Sequence, residues 1–143
     1  YKLKLPLQIH NRHAGDDILD ILINHKSLIL NPPGMFHCFS GDLDFLKRVL
    51  DLGFYVGFDG NITYKGLAPK EDTMLSDLVR ATPIARIVVE TDSPYLPPEP
   101  HRGERNVPKY AIITEKEIAR LKGLSFDKVR EKTTQNANAI FKL

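Results

Sequence analysis

Four short apolar runs constrain this chain more than any other feature: each is followed by polar or Gly/Pro residues and then by a helical pattern or a long loop. Strands alternating with helices require a mostly parallel sheet, because each right-handed crossover returns the chain to the sheet in the same direction. The first run, Leu5 to His10, precedes a helical stripe of Ile18, Leu19, Leu22 and Ile23. The second, Gly34 to Phe39, precedes one of Leu43, Leu46, Val49 and Leu50, with Ser40 as the expected N-cap and Gly53 at the expected stop. The third, Phe54 to Phe58, leads through Asp59-Gly60-Asn61 to a helix carrying Met74, Leu75, Leu78 and Val79. The fourth, Ala85 to Glu90, opens a Pro-rich loop over Thr91 to Val107; two helices at 107–122 and 125–138 follow, separated by Gly123.

With 143 residues, 42% of them hydrophobic and 27% charged, the chain is long enough to bury a core in a single domain without a disulfide or metal staple. Its single cysteine, Cys38, cannot form an internal disulfide, which fits a reducing cytoplasm. No stretch reaches the length of a membrane span, and the start Tyr1-Lys2-Leu3-Lys4 lacks the apolar core of a signal peptide. A soluble, cytoplasmic chain that makes no membrane contact is the expectation. Opening on Tyr and entering a strand within a few residues, it also reads as a part of something longer. Its 20 basic and 18 acidic residues are mixed along the sequence, so net charge speaks neither for nor against a nucleic-acid partner.

In parallel α/β folds, chemistry gathers at the carboxyl ends of the strands. Three of the four ends carry side chains able to bind a metal: His10, His37 and Asp92. Converging strand ends supply imidazole and carboxylate from several directions without any local motif. The plainer alternative makes each histidine a rim residue and Asp92 a cap for the following turn. Glu90, two residues before Asp92, shares its face and either hydrogen-bonds a ligand or sits in an ion pair within the strand layer. His25, on a helix without a partner, reads as a surface residue.

The strings Leu7-Gln8-Ile9-His10-Asn11-Arg12, His37-Cys38-Phe39-Ser40-Gly41, Glu90-Thr91-Asp92-Ser93-Pro94-Tyr95-Leu96 and Arg102-Gly103-Glu104-Arg105-Asn106-Val107-Pro108 resemble the TatD family of metal-dependent deoxyribonucleases in order and spacing. The resemblance implies an α/β fold, a TIM barrel of the metal-dependent hydrolase kind, with residues 1–143 corresponding to its carboxyl-terminal half: four βα units, strands five to eight. It implies that His10, His37 and Asp92 bind a divalent metal (Mg, Mn or Zn), and that Asp92 is catalytic, holding or deprotonating the attacking water. It also places Arg12 and the Arg102 to Asn106 loop at the rim of the active site. Arg12, Arg102 and Arg105 are read there as substrate phosphate contacts, with exposed loop charge as the alternative; His101 is a weaker candidate.

Two family features are missing from this sequence: the His-x-His pair of a first strand and a Gly-Glu-x-Gly strand. His13 stands where the family usually has Asp. Three ligands suffice for one ion with open positions, while a second ion would lack its cage. Half a barrel also has unpaired edges and an apolar inner face, so the expected partners are DNA and either the missing amino-terminal half or a second copy of the chain. The alternatives to a DNA phosphodiesterase are a non-catalytic, metal-binding or dimerising half-barrel and a related ester or lactone hydrolase.

Overall fold

The computed structural model describes residues 2–67 and 72–143; Tyr1 and the stretch 68–71 lie outside the described residues. The order of elements is β1 (Leu7–His10), α1 (Gly15–Asn24), β2 (Gly34–His37), α2 (Leu43–Asp51), β3 (Tyr55–Phe58), α3 (Leu75–Ala81), β4 (Ile87–Val89), α4 (Ala111–Lys122) and α5 (Phe126–Phe141), with short 3-10 turns between some of them. The strands form one parallel sheet in the order β1-β2-β3-β4, as the alternation of runs predicts. His10 pairs in register with His37, and Phe58 with Val89. Among the described residues, no helix is long and apolar enough to cross a membrane.

Strand parity divides the molecule. Phe36, Val56, Phe58 and Ile87 face the helices and join Leu19, Leu46, Val49, Leu78, Val79 and Ile118 in the main core. Phe36 anchors it through edge-on contacts with Phe39, Phe45 and Phe54, ring centroids 5.3–6.3 Å apart. Met35 and Val88 face the other way, packing with Ile140 near the end of α5. That contact explains why α5 continues to Phe141 rather than ending near 138.

The starts of α2 and α4 also differ from expectation. Ser40 does not cap α2: Gly41 swings through φ +130, and Asp42, two residues later, accepts the Phe45 amide at 2.7 Å. Pro108–Tyr110 forms a 3-10 turn, so α4 begins at Ala111 and not at 107. The predicted stops hold: Gly53 (φ +87) and Gly123 (φ +63) are left-handed just past α2 and α4. Replacing Asp42 by Ala is expected to lower stability by about 1 kcal/mol in urea denaturation, with Ser40→Ala nearly silent. The reverse ranking would return the cap to Ser40.

Candidate functional site

By the same parity, the end of the sheet brings a second set of side chains to the face opposite the helices. His10 on β1, His37 on β2, Gly57 on β3 and Glu90 just beyond β4 all lie there. The imidazoles of His10 and His37 stand side by side, centroids 6.1 Å apart. Glu90 extends the ladder through its amide to Phe58 O (3.1 Å), then crosses over β3. One carboxylate oxygen meets His37 Nδ1 at 2.6 Å, and the other accepts the Cys38 amide. Beyond it, Asp92 Oδ1 lies 3.5 Å from His37 Nε2.

Gly57 makes that crossing possible. A Cβ at this position would overlap the Glu90 carboxylate and the tip of Met35. The sequence did carry a signal, since a lone glycine inside an apolar strand marks a close approach. Cys38 supplies the other half of the fit: its backbone is left-handed (φ +46), unusual for a side chain of this kind, and its amide is held by Glu90.

Asp59, in sequence part of the connector after β3, is a fully buried carboxylate at the strand end. Its Oδ1 accepts the Asn61 amide at 3.0 Å, while Oδ2 is buried without a partner among the described residues. Burial pushes its pKa up, and Glu90 and Asp92 add to the rise. The Cys38 thiol is likewise pushed up by burial, with Asp59 beside it, so it remains a neutral thiol.

The other expected residues stand apart. Arg12 and Arg105 are exposed, and Arg102 lies over the Tyr64 ring at 4.3 Å. No hydrogen bond or ion pair among the described residues joins these arginines to His37, Glu90 or Asp92. His101 stacks on Tyr110 at 4.1 Å and meets Glu104 at 2.9 Å. His13 is exposed in a left-handed bend (φ +56), and His25 is a surface residue as expected. Asp92 shapes the following turn through its backbone oxygen, which accepts the Tyr95 amide, leaving its carboxylate toward His37.

The donors suit a divalent ion in kind. When Nδ1–H of the neutral imidazole donates its hydrogen bond to Glu90, His37 presents the lone pair of Nε2, the arrangement typical of metal-binding histidines. Their spacing is wider than an ion needs: among the described residues, no three His, Cys, Asp or Glu side chains stand close enough to hold one.

A family model described as TatD related DNase matches residues 1–142. The chain belongs to that family. Its relatives include the uncharacterized metal-dependent hydrolases YabD of Bacillus subtilis, 35% identical over 99% of this chain and 53% of the relative, and YcfH of Escherichia coli K12, 37% identical over 98% and 50%. The crystal structure of YJJV, a TatD homolog from Escherichia coli K12, superposes with a TM-score of 0.86 at 27% identity, over 99% of this chain and 52% of that one. The chain therefore spans about half the length of the curated relatives it matches.

Glu90 also sets the charge of His37 in this TatD-family chain. Its hydrogen bond outweighs the opposing effect of burial and raises the imidazole pKa from 6.5 to about 8. Because the folded value lies above the unfolded one, the pairing stabilises the fold fully below pH 6.5 and is lost as pH rises through about 8. An NMR titration of His37 without metal is expected to show the midpoint near 8 in the parent chain. Both Glu90→Gln and Gly57→Ala should lower it, the second by displacing the carboxylate. An unchanged midpoint in Gly57→Ala would mean that Glu90 reaches His37 by another path.

Proposed function

We propose that residues 1–143 form the carboxyl-terminal half of a TIM barrel, strands five to eight, in a metal-dependent deoxyribonuclease that hydrolyses DNA phosphodiester bonds. The observation that carries the reading is the gathering of His10, His37 and Asp92 at one end and on one face of a parallel sheet, with Glu90 fixing the His37 ring. Half-length coverage of the relatives supports a site completed by donors from the other half. In that site His10, His37 and Asp92 would hold the ion, which is Mg, Mn or Zn. When bound, the ion lowers the pKa of water and offsets charge on the phosphoryl oxygens.

The chain's own residues do the rest. Glu90 orients His37, and the Asp92 carboxylate accepts the proton released by the attacking water. Exposed Arg12 and Arg105 offer charge-assisted contacts to flanking phosphates of a DNA strand.

A second reading, in which two copies pair without turnover, is favoured by one feature. Leu3, Leu5 and Leu7, running into edge strand β1, are 80%, 62% and 39% exposed.

End-labelled single-stranded DNA is expected to be cut with Mg²⁺ or Mn²⁺ when these residues stand in a complete barrel. EDTA and the His10→Ala, His37→Ala, Asp92→Ala triple variant should both abolish cutting. The 143-residue chain alone is expected to be slower by about 100-fold or more, since its donors are incompletely placed. Intact DNA with the complete barrel in both metals would end the nuclease reading. Full-rate cutting by the chain as a metal-dependent dimer would replace the half-barrel with the two-copy arrangement.

A further inference from the structure

At the same end of the sheet as His37 and Asp92, a cavity of about 300 Å³ opens between the turn after β3, the start of α3 and the loop after β4. Met74, Leu75 and Leu96 give it apolar walls; Tyr64 and Arg102 form one side, and Asn61 lies toward the site. Asn61 Nδ2 reaches Cys38 Sγ at 3.5 Å, and Cys38 directly follows His37, so cavity and site are neighbours. The Tyr64 ring is fixed by its hydroxyl, which donates to Pro97 O at 2.8 Å. Over that ring, at 4.3 Å, lies the Arg102 guanidinium. The two groups lie together at the cavity wall, the guanidinium over the ring.

Charge distinguishes the cavity from the site beside it. Among its described lining residues the charged side chains are Lys65 and Arg102, both cationic. Glu90, Asp92 and Asp59 make the neighbouring strand ends acidic. A ligand suited to the cavity has a flat apolar part and carries an anion. Its volume lies at the small end for ligand sites, suiting one ring system better than a peptide segment.

We propose that this cavity is a nucleobase subsite: the base of a nucleotide adjoining the scissile phosphate enters it and stacks against the Tyr64–Arg102 pair. The inference rests on the nuclease reading for the polymer that delivers the base. It reassigns Arg102 from phosphate contact to stacking surface. Every base has a π-face, so the subsite tolerates any of the four.

The test is calorimetric titration of the complete barrel, metal-free in EDTA, with dAMP, and with 2-deoxyribose 5-phosphate, which keeps the sugar and phosphate but lacks the base. dAMP is expected to bind about tenfold more tightly, within the range that one stacked base contributes. Tyr64→Ala should erase that difference and Tyr64→Phe should keep most of it. Arg102→Lys, on the exposed surface and so without risk to folding, keeps the charge but loses the plane; it should weaken dAMP alone. Equal affinity for the two ligands, or no dAMP binding up to about 10 mM, overturns the proposal.

A second arm separates this failure from failure of the nuclease reading. In the complete barrel, an oligonucleotide with one abasic position should be cut more slowly there, and Tyr64→Ala should cut both substrates alike. Cleavage blind to the base in the parent protein removes the subsite and leaves the nuclease. Tyr64-dependent dAMP binding without any DNA cleavage keeps a nucleotide cavity and removes the nuclease.

Discussion

Glu90 reaches across β3 to His37 and to the Cys38 amide, and the functional end of the sheet is organised around that one carboxylate. It is largely buried, with about 12% of its side chain exposed, so its charge must be met locally. Two charge-assisted hydrogen bonds do so: one sets the orientation of the imidazole, the other holds the left-handed turn that carries Cys38. The bridge needs empty space over the middle strand, and Gly57 provides it. An exchange of one hydrogen for a methyl group there would act on β2, β3 and β4 together.

The rest of the fold keeps the strands in the register this bridge needs. Phe36 and Phe54 pack edge-on beneath the sheet, while Phe39, on the loop after β2, stacks on Phe45 of α2 and donates its amide to Gly57 O. The segment following His37 is thus pinned from the helix side by aromatic packing and from the other side by Glu90. Asn106 acts similarly on the Pro-rich loop after β4: its backbone amide donates to Pro94 O and its side-chain amide to Tyr95 O. Asp92 is carried on a clasped loop, held locally by its own turn to Tyr95 and from farther along the chain by Asn106.

Much of this was legible in the residues. The four apolar runs, their helical stripes and the stops at Gly53 and Gly123 follow from periodicity and backbone chemistry, which act over a few residues. The strand-end positions of His10 and His37 followed from where the apolar runs stop, whereas their common face with Glu90 came from the pairing register. What was not legible depended on neighbours in space. Asp59 looked like a connector residue until burial on every side left Oδ2 without a partner among the described residues. Arg102 reads in the sequence as a phosphate contact or an exposed loop charge, and nothing there shows that Tyr64, far from it in sequence, lies beneath it. Ser40 was a reasonable cap on composition, but the turn at Gly41 brought Asp42 to the helix end instead.

The sequence by itself determined the kind of fold and the chemistry available to it: a parallel sheet with imidazoles and carboxylates at its strand ends, in a chain whose strings match the TatD family. Tertiary structure decided how those groups are used. Whether a carboxylate pairs with an imidazole, stands exposed or is buried without a partner among the described residues depends on distances of a few ångströms between strands that are far apart in the sequence. Electrostatic and hydrogen-bond energies change steeply over such distances. Periodicity specifies only which face a residue occupies.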